Sequence, residues 1–347
     1  MKKSITIKEI AEEAQVSIAT VSLVLNKKDK KISEGTRENI LRIAQKYNYT
    51  PNTMARSLIT RQTRTIGLII PDIVNPFFPE IARGVEDKAS QLGYSVIYCN
   101  TDDKIKREDK YIHVLMEKMV DGIISAHSAD REEGFDGLAR CKVPVLLIDR
   151  DYDNKNVIGR VLVDNRAGAY QATSYMLKQG YRRIAYIAGC ISTATARGRL
   201  EGYHQALEDW GIGPEHRYVK VGEYRMQWGI EAAEQLLQEK TPMDGIFCGN
   251  DLIAIGVIKK LKEWGLAVPR DMGLVGFDDI YLASLVEPPL TTIKQPNYEM
   301  GYRAAEMLIR HIEKLRGEGD TKNESQQTAA ESTLFLPTEL IVRQSTK

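Results

Sequence analysis

The feature that most constrains the fold is an alternation, from Thr65 onward, between short apolar runs and longer stretches of helical periodicity. The runs are short and continuous, which is typical of strands buried on both faces of a parallel sheet. They are TIGLII (65–70), YSVIYC (94–99), GIIS (122–125), VLLID (145–149), VLVD (161–164), RIAYIAG (183–189), GIFC (245–248) and MGLVGF (272–277). Helical stretches lie between most of them, at 78–92, 106–119, 166–179, 197–210, 226–239 and 252–264. The alternation predicts an α/β body of two doubly wound parallel-sheet lobes.

The first 50 residues predict an all-α unit instead. Thr6 and Glu9 have the spacing of a capping box, so a helix begins after Thr6. Ser17 can cap a second helix and Ser33 a third, and Pro51 ends the third. The side chains expected to face a shared core are Ile7, Ile10, Ala11, Ala14, Val21, Val24, Leu25, Ile40, Leu41, Ala44 and Tyr47.

The first two helices are separated by only Gln15-Val16-Ser17, which is the spacing of a helix-turn-helix. In that motif the start of the second helix reaches base edges, which here places Ile18, Ala19 and Leu23 at the DNA. Thr20 and Ser22 suit phosphate contacts. Residues 1–64 hold 13 Lys and Arg against 6 Asp and Glu, whereas the remainder holds 35 against 41. The basic head favours a polyanionic partner, although a helical bundle for protein contact fits the same pattern.

The sequence therefore divides into three parts. Residues 1–50 form the helix-turn-helix domain, and 51–64 form a hinge helix that is too short and basic to be stable without a packing partner. Residues 65–347 form the body, with lobe 1 at about 65–163 and 294–325 and lobe 2 at about 164–290 and 326–347. The polar stretch 316–332 predicts a surface loop.

A candidate ligand site lies where the predicted strands end, because ligands of open α/β sheets bind beyond the carboxyl ends of the strands. The polar and aromatic residues expected there are Asn75, Phe77, Phe78, Asp149, Arg150, Arg199, Asn250, Phe277, Asp278 and Gln295. Aromatic rings can cover the apolar face of a sugar, and planar polar groups can bond neighbouring hydroxyls. Each residue could instead have a structural role such as capping a loop. The two arginines leave a phosphorylated or acidic sugar open, and Arg197 is the weaker candidate beside Arg199.

Several classes of function are disfavoured. The four cysteines and five histidines show no metal-ligand spacing, so neither a metal nor another cofactor is expected. No apolar run is long enough to cross a membrane, and no secretory signal opens the chain, which favours the cytoplasm. Motifs for nucleophilic, nucleotide-dependent or zinc-dependent catalysis are absent, so we expect no enzyme. A sugar-binding transport receptor would share the body but would need a signal sequence and lack the head.

The head segments TIKEIAEEAQVSIATVSLVLN and RENILRIAQKYNYTPNTMARSL resemble the lactose/galactose repressor family. The resemblance continues through the body in IGLIIPDIVNPFF, VDGII, VPVLLIDR, VDNRAGAY, RRIAYIAG, TARGRLEGY, GNDLIAIG, VGFDDI and PPLTTIKQP. It implies a repressor of sugar-metabolism genes that binds a pseudo-palindromic operator as a homodimer. No leucine-heptad tail follows IVRQSTK, so we expect no tetramer.

The resemblance also assigns roles to residues. Those implied in DNA binding are Thr6, Ser17, Ile18, Ala19, Thr20, Ser22, Leu23, Asn26, Asn52, Ala55, Arg56 and Leu58, with Arg61 as a further phosphate or groove contact. Leu58 matches a leucine that the family inserts into the minor groove, and Ala55 matches a small residue between paired hinge helices. Leu23 departs from the family, which commonly has Arg or another polar residue there, so the operator cannot be inferred by analogy.

For the body, the resemblance implies a ribose-type pocket that takes a pentose, a hexose or a derivative. The effector could release the operator or act as a corepressor that tightens DNA binding. A same-family regulator that responds to a partner protein is the alternative within the family.

Overall fold

The structure is a computed structural model that describes residues 5–25, 29, 31–49, 62–127, 137–151, 156–317 and 332–347. The chain forms two compact units, Met1–Thr63 and Arg64–Lys347, which we call the head and the body. Among the described residues, no helix combines the length and the apolar character that a membrane crossing requires.

The described part of the head contains three helices, α1 (Ile7–Glu13), α2 (Ile18–Leu25) and α3 (Glu34–Lys46). The predicted caps are present. The Glu9 amide donates to Thr6 Oγ1 over 3.3 Å while the Thr6 amide donates to Glu9 Oε2 over 2.7 Å. Ser17 Oγ accepts from the Thr20 amide at 3.1 Å and Ser33 Oγ from the Thr36 amide at 3.4 Å. These caps satisfy amides that a helix start otherwise leaves without partners.

The core of the head differs from the prediction on α3. Ile40, Ile43 and Ala44 are buried there, whereas Leu41 is 45% exposed and Tyr47 is 43% exposed. The predicted inward positions of Leu41 and Tyr47 are therefore wrong. Leu41 lies about a quarter turn away from Ile40, and Tyr47 follows the last residue of the helix as its C-cap. Ile10, Ala11, Ala14, Val21 and Val24 complete the core as predicted.

The described residues of the body form two six-stranded sheets. In chain order their strands are β1 (Thr65–Ile70), β2 (Ser95–Asn100), β3 (Gly122–Ser125), β4 (Val145–Ile148), β5 (Val157–Val163), β6 (Ile184–Ala188), β7 (Val219–Val221), β8 (Gly245–Cys248), β9 (Gly273–Asp278), β10 (Thr291–Lys294), β11 (Ser332–Leu336) and β12 (Glu339–Ile341). The sheet of lobe 1 has the order β11-β5-β4-β3-β1-β2, and that of lobe 2 has the order β12-β10-β9-β8-β6-β7. All neighbours are parallel except β10 and β12, which confirms the doubly wound parallel fold.

The helices of the described body cover these sheets. They are α4 (Phe77–Gln91), α5 (Ile105–Glu117), α6 (Gly137–Arg140), α7 (Asn165–Lys178), α8 (Ala194–Asp209), α9 (Met226–Gln238), α10 (Asp251–Glu263) and α11 (Asn297–Leu315). Helices α4 and α11 pack backbone against backbone, since a Cβ at Gly84 would lie 2.1 Å from the Tyr298 carbonyl oxygen. The close packing fixes α4, which begins at the two phenylalanines of the predicted ligand site.

The chain passes between the lobes three times, and the last passage corrects the predicted division. The sequence pattern places all of residues 326–347 in lobe 2, but β11 pairs with β5 and belongs to lobe 1. Only the residues after it, beginning with β12, belong to lobe 2. Only two residues connect β11 to β12, and nothing in their sequence indicates that the chain passes from one sheet to the other there. Residues 62–64 of the predicted hinge helix are not helical, and 51–61 lie outside the described residues.

Candidate functional site

A cleft lies between the lobes at the carboxyl ends of their strands, as the sequence predicts for this fold. Its inner cavity measures about 30 Å³. The cavity is lined by Asn75, Phe77, Phe78, Asp149, Arg150, Thr195, Arg199, Tyr224, Asn250 and Asp278. Eight of these ten residues are among the predicted effector-binding residues, and they come from both lobes.

An outer cavity of about 520 Å³ adjoins the inner one and has the size of a small-molecule site. The two share the walls formed by Asn75, Phe78, Arg150 and Tyr224. The added lining of the outer cavity is mostly charged or polar, namely Pro71, Asp72, Asp102, Asp103, Lys104, Cys190, Glu223 and Arg225. The two cavities together form one continuous cleft from a buried floor to a polar mouth.

The aromatic wall comes from lobe 1. Asn75 Oδ1 accepts from the Phe77 amide at 3.2 Å, which fixes the start of α4. The rings of Phe77 and Phe78 lie 4.9 Å apart in an edge-to-face arrangement, and both side chains are buried. This geometry holds the rings rigidly beside the polar groups of the cavity.

Arg199 lies on the lobe 2 side of the cavity and contacts several groups there. Its Nη1 donates to the Gly249 carbonyl oxygen at 2.5 Å and lies 3.5 Å from Asp278 Oδ1. Its Nε donates to Asn165 Oδ1 at 2.8 Å, and the guanidinium carbon lies 3.7 Å from the centre of the Phe277 ring. The buried guanidinium is thus held in one orientation by hydrogen bonds, an ion pair and a ring face.

Arg150 has the corresponding position in lobe 1. Its Nη1 lies 2.5 Å from Asp103 Oδ1 and donates to the His127 carbonyl oxygen at 3.0 Å. Its Nε lies 3.9 Å from Asp149 Oδ2. Each arginine of the inner cavity therefore has at least one carboxylate beside it.

The surroundings of the two aspartates of the inner cavity raise the pKa of each carboxyl group. Burial raises the pKa of Asp278 to about 7, against the opposing effects of Arg199 and of the Gln295 hydrogen bond. Burial also raises the pKa of Asp149, although Arg150 and Arg199 favour its charged form. Their backbones are unusual too, with φ of 64° at Asp149 and 109° at Asp278. Strained and desolvated residues of this kind concentrate at functional sites.

Two predicted effector residues lie behind the cavity wall. Phe277 supports the Arg199 guanidinium, and Gln295 Nε2 donates to Asp278 Oδ1 at 2.7 Å. Neither lines the inner cavity. Asn250 lines it and also caps α10, because its Oδ1 accepts from the Ile253 amide at 2.9 Å.

Thr195 and Tyr224 also line the inner cavity, although neither is among the predicted effector-binding residues. Thr195 is the second residue of α8, and its position after the end of β6 could have identified it. Tyr224 lies in the loop after β7, a three-residue strand too short to stand out in the sequence. Arg197 is exposed and donates to the carbonyl oxygens of Ile191 and Ser192, outside the inner cavity.

In the head, α2 has two distinct faces. Val21 and Val24 are buried, whereas Ile18 is 47% exposed, Leu23 is 43% exposed and Ala19 is exposed. The remaining predicted DNA contacts of the described head lie near helix starts. Thr6 and Ser17 cap α1 and α2, respectively. Thr20 and Ser22 lie in the first two turns of α2 and are half-buried. Predicted contacts outside the described residues are Asn26, Asn52, Ala55, Arg56, Leu58 and Arg61.

Comparison with known proteins agrees with this arrangement. Residues 6–52 match the family model of bacterial regulatory proteins, lacI family. Residues 63–339 match the model of periplasmic binding proteins and the sugar binding domain of the LacI family. The fold and the site thus define a DNA-binding transcription regulator with a periplasmic-binding-protein-like body. The chain belongs to the lacI family, which confirms the resemblance seen in the sequence.

Individual relatives share most of the chain. The ribose operon repressor of Halalkalibacterium halodurans is 39% identical over 342 residues, which cover 99% of this chain and 97% of that protein. The lac repressor dimer bound to operator and the anti-inducer ONPF matches with a TM-score of 0.85 and 28% identity over 99% of each chain. A LacI family regulator from Enterococcus faecium with bound ribose matches with a TM-score of 0.68 and 29% identity over 81% of this chain and 98% of that one.

Proposed function

We propose that the body binds a neutral monosaccharide of pentose size between its lobes, and that this binding controls how tightly the head holds operator DNA. The observation that carries the proposal is the pairing of both cavity arginines with carboxylates from the same lobe. The protein is on this proposal a sugar-responsive repressor and not an enzyme.

The charge balance supports a neutral ligand. Arg199 lies beside Asp278, and Arg150 lies between Asp103 and Asp149. A phosphate or carboxylate on the ligand would have to displace these partners or lie close to them, at a high cost in a buried site. Sugar hydroxyls can instead donate to the carboxylates and accept from the guanidinium groups without disturbing the pairs.

The ring walls and the relatives support a sugar of small size. Phe78 and Tyr224 border both cavities, so a sugar ring can lie with its apolar face on an aromatic side chain. One relative is named a ribose operon repressor, and a matching family structure contains ribose. We therefore take ribose as the first candidate ligand, with other pentoses and hexoses as comparisons.

On the DNA side, we propose that α2 presents Ile18, Ala19 and Leu23 to base edges in the major groove. The exposure of these apolar side chains supports this assignment, since nothing in the core of the head requires them. Two copies would read the two halves of a pseudo-palindrome, as expected for a symmetric dimer. We propose Leu58 as the minor-groove wedge and Asn52, Ala55 and Arg56 as its neighbours in the hinge.

Coupling between the two sites is reciprocal. If a bound sugar changes operator affinity by some factor, a bound operator must change sugar affinity by the same factor. The sign of the change separates an inducer from a corepressor.

The test measures the affinity of the protein for an operator selected from random DNA, with and without each sugar. Fluorescence anisotropy of the labelled operator is the readout. We expect one neutral pentose or hexose to change operator affinity at least tenfold, about 1.4 kcal/mol of coupling. Sugar phosphates and sugar acids should have no effect at the same concentrations. A response only to phosphorylated or acidic sugars would contradict the neutral-ligand proposal, and no response to any sugar would favour regulation by a partner protein.

Sugar affinity should depend on pH through Asp278, whose pKa of about 7 lies far above its ordinary value of 3.8. The ionised carboxylate accepts hydrogen bonds from hydroxyls, so affinity should rise with pH through 7 and level off above it. Only about a tenth of Asp278 is ionised one unit below its pKa, which predicts about tenfold weaker binding at pH 6 than at pH 8. The raised pKa of Asp149 acts in the same direction.

Isothermal titration calorimetry at pH 6, 7 and 8 measures this dependence. The matched variant is Asp278→Asn, which keeps an oxygen acceptor and cannot titrate. Its affinity should change much less between pH 6 and 8 than that of the natural protein. A natural protein with equal affinity at all three pH values would show that Asp278 does not contact the ligand in its ionised form.

A further inference from the structure

The segment Asp278–Ile280 connects the ligand cavity of lobe 2 to the core of lobe 1. Asp278 ends β9 and lines the inner cavity. Ile280, two residues later, is fully buried and belongs to the apolar core of lobe 1, together with Phe77 and Phe78. A short stretch of lobe 2 thus places one side chain at the cavity and the next large one inside the core of the other lobe.

Other side chains of lobe 2 widen this contact. Leu252 and Ile255 on α10, and Leu282 just after Ile280, are partly buried against the same core of lobe 1. Ala283 then returns to the core of lobe 2. These contacts of the described residues are apolar, and Ile280 is fully buried among them.

Asp251 fixes the geometry of this segment through a hydrogen bond to its backbone. Its side chain is completely buried, and its Oδ2 accepts from the Ile280 amide at 2.9 Å. Its Oδ1 accepts from Thr292 Oγ1 at 2.6 Å, which ties the segment to β10. Between Asp251 and the ligand cavity, Asp278 and Asp279 both have positive φ, of 109° and 55°. The hydrogen bond to Ile280 holds the chain in a turn that these residues do not favour by themselves.

We propose that Asp278–Ile280 is the mechanical link between ligand binding and lobe 1, with Asp251 as its positioning residue. A ligand that bonds Asp278 acts on backbone two residues from a side chain embedded in the other lobe. Any displacement of Asp278 must then move Ile280 or strain the Asp251 hydrogen bond, because packed cores resist gradual deformation. The response to sugar rests on the proposed function, whereas the interlobe contact itself does not.

The first experiment needs no ligand. Hydrogen exchange of the full chain compares Ile280→Ala with Ile246→Ala, which removes the same atoms from a fully buried isoleucine on β8 in the core of lobe 2. We expect amides of β1 and α4 in lobe 1 to exchange at least about tenfold faster in Ile280→Ala and to stay near the natural rate in Ile246→Ala. Equal exchange of these lobe 1 amides in the two variants would overturn the link.

The second experiment measures the ratio of operator affinities with and without ribose. Ile280→Ala should bring this ratio at least about fivefold closer to one while ribose still binds, and Ile246→Ala should leave the ratio unchanged. Asp251→Ala should act like Ile280→Ala, with Asp251→Asn partly restoring the ratio because it keeps an acceptor oxygen. Unchanged ratios in both Ile280→Ala and Asp251→Ala would overturn the coupling role. If no sugar changes the operator affinity of the natural protein, the proposed function is refuted. The hydrogen-exchange experiment would still decide whether Ile280 links the lobes.

Discussion

Replacing Arg199 by methionine is expected to weaken sugar binding at least about a hundredfold and to make operator binding insensitive to sugar. Methionine can keep the packing on the Phe277 ring, but it removes the hydrogen bonds to Gly249 and Asn165. It also leaves Asp278 without its cationic neighbour, and breaking a buried ion pair from one side costs about 3–5 kcal/mol. Asp278 can relieve part of this cost by protonation, since its pKa is already near 7. A protonated Asp278 would be a poorer acceptor for sugar hydroxyls.

Calorimetry with the sugar and anisotropy with the operator measure the two effects, and a thermal melt verifies that the variant is folded. Arg197→Met is the matched control because Arg197 is exposed on the same helix and lies outside the inner cavity. It should bind sugar and operator as the natural protein does. Equal losses in the two variants would refute the assignment of Arg199, as would normal sugar binding by Arg199→Met.

Replacing Leu23 by arginine should change which operator the protein selects. Leu23 is an exposed leucine on the face of α2 opposite its buried valines, where it can contact a thymine methyl group but cannot bond a base edge. Arginine can bond guanine O6 and N7 together, which is worth about 1–3 kcal/mol of discrimination, or about 5- to 150-fold. Selection from random DNA should therefore recover sites with a new guanine preference in each half-site.

Leu41→Arg serves as the control, because Leu41 is equally exposed but lies on α3 and not on the reading face of α2. It adds the same charge to the head, so it should strengthen binding to all sequences slightly without changing the selected site. A shift of selected sequence in Leu41→Arg, or none in Leu23→Arg, would show that α2 does not read bases in the predicted way.

The sequence predicts this fold well where local signals agree with the tertiary structure. The eight apolar runs all become strands. Most of these strands are buried on both faces and have no polar positions that could suggest another structure. The exception is β2, an edge strand in which only Cys99 is buried. The strands absent from the prediction are short or lie at sheet edges. They include β7, which has three residues, and β12, whose residues are exposed or half-buried. Both β7 and β12 are edge strands without the continuous apolar pattern that identifies the eight predicted strands.

The candidate site could be predicted in position more than in detail. The rule that ligands bind at the carboxyl ends of strands identifies Asn75, Asp149 and Asp278 from their neighbours in sequence. The rule cannot separate residues that line a cavity from those one layer behind, and it therefore also selects Phe277 and Gln295, which contact Arg199 and Asp278 from behind. Tyr224 could not be found this way because its loop follows a weak strand and reaches the cleft only through tertiary packing.

The exchange of the last strands between lobes limits how such proteins can recombine. The sheet of lobe 1 includes β11, residues 332–336. In the chain, β11 comes after every strand of lobe 2 except β12. A single genetic crossover near residues 63 and 64 would transfer the head as one cassette. Exchanging one lobe for another would require junctions at each of the three passages of the chain between the sheets. New pairings of operator and effector should therefore arise by joining a foreign head to an entire body, and new effector specificities by point substitutions within the cleft.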